Sequence, residues 1–73
     1  MNIQIVMDPT GDTRHYFHAS DDASVAEARR RFQGLMDAGY IAAKRTGNGT
    51  SDLIREFDPT ARETLFMPRL VGG

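Results

Sequence analysis

Ser24-Val25-Ala26-Glu27-Ala28-Arg29-Arg30-Arg31-Phe32-Gln33-Gly34-Leu35-Met36-Asp37-Ala38-Gly39 is the stretch on which the fold turns. Val25, Ala28, Phe32, Leu35 and Met36 recur at helical spacing, so one apolar stripe predicts a helix over about residues 24–38. Ser24 with Glu27 has the capping-box spacing, and Asp21 or Asp22 offers an alternative cap. Gly39 suits the left-handed position that ends a helix. Gly34 costs about 1 kcal/mol relative to Ala inside a helix, which implies close packing there or a tolerated flaw.

On the N-terminal side, Met1-Asn2-Ile3-Gln4-Ile5-Val6-Met7 alternates Ile3, Ile5 and Met7 on one face, as a half-buried strand does. Asp8-Pro9-Thr10-Gly11-Asp12 is dense in turn formers, and residues 13–18 favour a strand, which together read as a hairpin. Beyond the helix, Tyr40-Ile41-Ala42-Ala43-Lys44-Arg45 reads as a third strand, although its alanines also suit a helix. Thr46-Gly47-Asn48-Gly49-Thr50-Ser51 is a hairpin loop. Asp52-Leu53-Ile54-Arg55-Glu56-Phe57 is a fourth strand, with Leu53, Arg55 and Phe57 on one face. Residues 58–63 turn, with Pro59 placed to open one short helical turn, and residues 64–67 form a last strand before Pro68 ends the pairing. The expected fold is α+β: a mixed sheet laid across one helix, which buries the stripe.

Composition narrows the function. A chain of 73 residues holds one small domain. It has no cysteine, so disulfides, thiolate zinc sites and a cysteine nucleophile are all excluded. Nine basic and ten acidic side chains give a net charge of −1, which offers no general attraction to nucleic acid or an anionic membrane. No apolar run approaches the roughly 20 residues of a membrane span, and the start lacks a signal-peptide pattern. A cytoplasmic monomer is expected.

The end is unusual. Leu70-Val71-Gly72-Gly73 follows the last apolar run directly, and glycine at about 7% of ordinary sequence makes such a pair roughly a one-in-200 coincidence. A slim tail of two glycines suits entry into the narrow cleft of an ATP-using enzyme, which then activates the last carboxylate.

In its element order the chain resembles the ubiquitin-like, β-grasp family. Thr10-Gly11-Asp12-Thr13 stands at that family's first turn, and Glu63-Thr64-Leu65 leads through Arg69-Leu70 to Gly72-Gly73. The resemblance implies a β-grasp, with a four- to five-stranded mixed sheet on one helix, residues 1–67 as the domain and 68–73 as a flexible tail. It further implies a protein modifier or a sulfur carrier, not an enzyme, whose Gly73 carboxylate is adenylated by an ATP-dependent partner. Protein targets or a sulfur acceptor would follow as partners. The sulfur carriers of thiamin and molybdopterin synthesis share the fold, the length and the Gly-Gly end. Pro68 in the tail, Val71 in place of ubiquitin's basic residue, and the reduced turn at residues 59–63 depart from ubiquitin. An inert tail on a small interaction module, encoded by a phage or mobile element, is the alternative.

Other residue patterns carry less. Ile41, Ile54 and Leu70, with Arg69, are candidates for a partner-binding patch on the exposed sheet face, but a one-residue slip sends them into the core. Lys44 is the single lysine, hence the one side-chain acceptor for an isopeptide bond. His15 and His18 make an H-x-x-H, yet positions three apart on a strand face opposite ways, and no cysteine completes a metal site. Arg29, Arg30 and Arg31 fan out around a helix by about 100° each, and Glu27 to Arg31 is a favourable helical pair. Lys44, Arg45, Arg55 and Arg69 would give a basic sheet side. The glycines of the 46–51 loop lack Walker spacing, and no nucleophile, base and oxyanion donor assemble. No cofactor or metal is expected.

Overall fold

The computed structural model describes residues 1–69. Strand β1 (Asn2–Asp8) turns into β2 (Gly11–Phe17); helix α1 (Asp22–Asp37) follows, then β3 (Tyr40–Arg45), β4 (Ser51–Ile54) and β5 (Glu63–Pro68). The five strands form one mixed sheet in the order β2-β1-β5-β3-β4, with β5 parallel to β1 and antiparallel to β3. This is the α+β arrangement of a β-grasp: one helix packed across a sheet whose last strand is central. The expected fold class stands, and residues 40–45 are a strand.

The two Asp-Pro-Thr tripeptides, 8–10 and 58–60, make the same turn. Asp58 Oδ1 accepts from the Thr60 amide at 2.9 Å and its hydroxyl at 2.6 Å. Asp8 Oδ1 accepts from the Thr10 amide at 2.8 Å and its hydroxyl in the same way. Proline pre-sets the turn, and the aspartate locks it from the inside. No helical turn forms at residues 59–63; the Ala61 amide instead closes on the Asp58 carbonyl at 3.2 Å. Asn2 fastens this loop to β1, donating from Nδ2 to the Ala61 carbonyl at 2.8 Å.

The helix starts three residues earlier than the Ser24 capping box suggests, at Asp22 rather than Val25. Asp21 is the N-cap residue, and the Ser24 hydroxyl accepts from the His18 amide at 3.1 Å instead. Ser24 therefore ties the β2–α1 connection to the first turn. At the other end Gly39 has φ +93°, and its amide bonds to the Met36 carbonyl, as expected for the residue past a helix.

The core lies between α1 and one face of the sheet. Phe32 and Phe66 meet edge to face at 5.6 Å with Ala42 beneath, and Val6, Leu35, Met36, Tyr40, Ile54 and Phe57 pack around them. Strand register assigns the helix-facing row as Asn2, Gln4 and Val6 in β1, Phe17 and His15 in β2, Thr64 and Phe66 in β5, and Tyr40, Ala42 and Lys44 in β3. The Ile3, Ile5 and Met7 alternation therefore points away from the helix. In its place the fully buried Gln4 faces α1, donating to the Ala28 carbonyl at 3.1 Å and accepting from Arg31 at 2.8 Å. Strand β4 stops at Ile54, so Phe57 leaves the Leu53 face and turns back to stack with Phe17 and Phe32, each at 5.8 Å.

The glycines of α1 give opposite expectations. A Cβ at either Gly34 or Gly39 would meet no atom within 4 Å, so only the backbone decides. Gly34→Ala should raise stability by about 1 kcal/mol through helix propensity. Gly39→Ala should lower it by about 1–2 kcal/mol through left-handed strain. Urea midpoints at unchanged slope check both, and a shift of the same sign in the two variants would contradict this account.

Candidate functional site

Because β5 is central and parallel to β1, its C-terminal end lies at the same end of the sheet as the β1–β2 turn. Pro68 pairs with Tyr40 at the start of β3, and Pro68 and Arg69 are both exposed. The last described residues thus lie at that end of the sheet, between β1 and β3. Leu70, Gly72 and Gly73, on which the tail chemistry rests, lie outside the described residues.

The sheet face away from α1 reaches that same end. Alternation and register place Ile3, Ile5 and Met7, Tyr16, Leu65 and Met67, Ile41 and Ala43, and Leu53 on it. Ile5, Leu65 and Ala43 in the middle row are buried. Ile3, Met7, Ile41 and Met67 are half-buried, whereas Tyr16 and Leu53 on the outer strands are 59% and 75% exposed. Ile41 pairs directly with Met67, and Met7 continues the register beside it, so these three sit next to Pro68 at the end of β5.

Ile41 therefore takes the outward position expected of a patch residue. Ile54 does not share it: it pairs with Ala42 on the helix side and packs against the core cluster of Phe32, Ala42 and Phe66. The physical reason is register, since β4 opposes Ala42 with Ile54 and Ala43 with Leu53. Leu53, Met7, Met67 and Tyr16 are the patch members that reasoning from sequence missed. The Ile3-Ile5-Met7 alternation was the available signal for this face.

The expected basic sheet side also divides. Arg45 lies on the open face and pairs with Glu63 at 3.2 Å. Lys44 points to the helix side, where its amine meets Asp58 Oδ2 at 3.0 Å. The Thr60 hydroxyl and amide, joined by the Lys44 ammonium, hold the Asp58 carboxyl down at about 2. The one side-chain amine is thus held by a carboxylate that stays ionised across ordinary pH. The lysine and aspartate side chains keep 35% and 27% of their accessible surface, so the pair is reachable from solvent.

The three consecutive arginines separate as helical geometry requires. Arg29 lies over the Phe57 ring at 5.1 Å, Arg30 is exposed, and Arg31 reaches Gln4 and, at 3.8 Å, Glu27. His15 sits in β2 on the helix side, while His18 lies past the end of that strand. Burial and the neighbouring Arg31 hold the His15 imidazole below its usual pKa, against the opposing pull of Glu27. Among the described residues no group of three His, Cys, Asp or Glu side chains is placed to hold a metal ion. Nor, among them, is any helix long and apolar enough to cross a membrane.

No protein-family model, no curated protein and no solved structure matches this chain.

Two outcomes follow from the Lys44–Asp58 pair. Folding lowers the Asp58 pKa from 3.8 to about 2, so its charged form stabilises the fold above about pH 4 and loses that contribution as pH falls toward 2. The melting-temperature gap between the native chain and Asp58→Asn should be widest near neutrality and close over that interval. A gap constant from about pH 6 to pH 2 would show that the ionised carboxylate, held by Thr60 and by Lys44, adds nothing to stability. Asp58→Asn should also speed acetylation of Lys44 by acetic anhydride several-fold, read from the Lys44 peptide by mass spectrometry. Equal rates would show that the carboxylate does not shield the amine.

Proposed function

We propose that this chain is a ubiquitin-like β-grasp protein, acting as a protein modifier or sulfur carrier, whose Gly73 carboxylate is activated by an ATP-dependent adenylating partner. The observation that carries it is the central β5, which ends at Pro68, paired with Tyr40, beside an apolar patch and five positions before Gly73. An enzyme that draws in a tail needs both a fixed root to measure from and a surface to hold. Met7, Met67 and Ile41 provide the surface, and Arg69 adds an exposed guanidinium between it and the last four residues.

In the chemistry, a Gly73 carboxylate oxygen attacks the α-phosphate of ATP and pyrophosphate leaves, giving an acyl-adenylate. A thiolate of the partner then attacks the carbonyl carbon and AMP leaves, which forms a thioester. An amine of a target displaces the thiolate and loses a proton, leaving an isopeptide bond. In a sulfur carrier, a persulfide sulfur of the partner attacks the adenylate instead; reductive cleavage by a second partner thiol leaves a thiocarboxylate and an enzyme disulfide. Gly72 and Gly73 put no side chain in the way of either route. This chain supplies the carboxylate and its presentation, and the partner supplies the catalytic groups. The need for ATP puts the reaction in the cytoplasm.

Lys44 is the side-chain acceptor if the protein is itself modified, and its pairing with Asp58 works against that use. A second function, a small interaction module with an inert tail, is favoured by the breadth of the open face, which extends well beyond the tail root to Tyr16 and Leu53.

Mass spectrometry of the protein recovered from its native cell decides between them. Branched peptides carrying a Gly73 remnant, or a C-terminal thiocarboxylate, are expected. A free carboxylate under every growth condition, with no partner that exchanges pyrophosphate into ATP in its presence, would sink the tail chemistry and leave the interaction module.

A further inference from the structure

We infer that the open sheet face also binds a second copy of this chain, forming a weak two-fold dimer whose two sheets pack face to face. The first observation is the charge carried by the face. Its outward positions hold two acids, Asp12 and Glu63, and two bases, Arg14 and Arg45, around nine apolar side chains. A patch with net charge selects a partner of opposite sign and repels its own copy. This one is balanced, and Arg45 and Glu63 already neutralise each other at 3.2 Å. Self-association therefore meets no net repulsion: a two-fold along β5 brings the two copies' Glu63 side chains together, but each is already paired with its own Arg45.

The second observation is the placement of the exposed apolar groups. Leu53 and Tyr16 stand on β4 and β2, the two outer strands, equidistant in strand order from the central β5. A two-fold axis along the strands sets β4 of each copy over β2 of the other. Leu53 lies in the row Arg14, Ile5, Leu65, Ala43, Leu53, so it comes to rest over the aliphatic stem of Arg14, with Tyr16 beside it. Each copy thereby covers the residues the other leaves most exposed. Two sheets stacked about 10 Å apart are a common way of burying such faces.

Size sets the strength. Five strands about 4.8 Å apart and some six residues long give a face of about 400 Å² per copy, hence about 800 Å² for the pair. Durable dimers bury about 1,200 Å² or more, so this one is transient and forms at high protein concentration. It would cover the Met7, Met67 and Ile41 patch, so a partner drawn to that patch competes with the second copy. The dimer needs neither Gly72 nor Gly73 and does not depend on the proposed tail chemistry.

Sedimentation equilibrium of the full chain tests it, from about 10 µM to about 1 mM. The mass is expected to rise from 8.1 kDa toward twice that value across the series. Leu53→Asp and Tyr16→Asp, both at exposed outer-strand positions, should each hold the protein monomeric while leaving its circular dichroism unchanged. Arg30→Asp, exposed on the helix side, should dimerise like the native chain. A monomeric native chain at 1 mM overturns the inference and leaves the face to a different protein. Dimerisation that survives both Leu53→Asp and Tyr16→Asp overturns it equally.

Discussion

Phe32 against Phe66 is the contact on which the rest depends. It joins the one helix to the central strand at 5.6 Å, and Phe57 then Phe17 extend the line of rings to the loop after β4 and to the end of β2. All four phenylalanines of the chain belong to this one series. A domain of 73 residues buries only about 60% of its unfolded surface, so it cannot spread its core thinly. Each buried Phe is worth about 3 kcal/mol of apolar transfer, and concentrating them in one seam sets where the helix must lie.

With the helix so placed, the sheet has two apolar faces and one cover. The covered face carries polar groups of kinds usually found outside: Asn2, Gln4, Thr64 and Lys44. Gln4 bonds to α1 and Arg31, Asn2 bonds to the loop at residue 61, and Lys44 bonds to Asp58. Among the described residues no buried side-chain nitrogen or oxygen lacks a partner. These bonds confer direction where a purely apolar face would allow the helix to slide or rotate. The more hydrophobic set, from Ile3 and Met7 to Met67 and Leu53, is left on the open side. That allocation leaves an uncovered apolar face beside the end of β5.

Much of this was readable along the chain, and the failures are instructive. The stripe from Val25 to Met36 located the helix, whereas Tyr40 to Arg45 suits strand or helix by its residues, and pairing with β4 and β5 makes it a strand. Gly39 ends the helix as its chemistry requires, and Glu27 pairs with Arg31. These are local matters of spacing and backbone conformation. Ile54 was misplaced because alternation says which residues share a face but not which face is covered. Phe57 was misplaced because β4 ends three residues before it, and only contact with Phe17 and Phe32 reveals where its ring goes. Lys44 and Asp58 are 14 positions apart and meet only because β3 and the Asp-Pro-Thr turn converge.

The sequence by itself determined the element order, the single helix, the absence of any thiol chemistry and the Gly72-Gly73 pair to which the proposed activation is assigned. Those are properties of residue identity and near-neighbour spacing, and they need no knowledge of distant contacts. Tertiary structure alone decided that β5 sits at the centre, that the Ile3 face is the open one, and that Lys44 is held by Asp58. Each of these rests on pairing between segments far apart in the chain. Side-chain direction reverses with every residue of a strand, so the outcome is settled only when strand register and helix packing are fixed together.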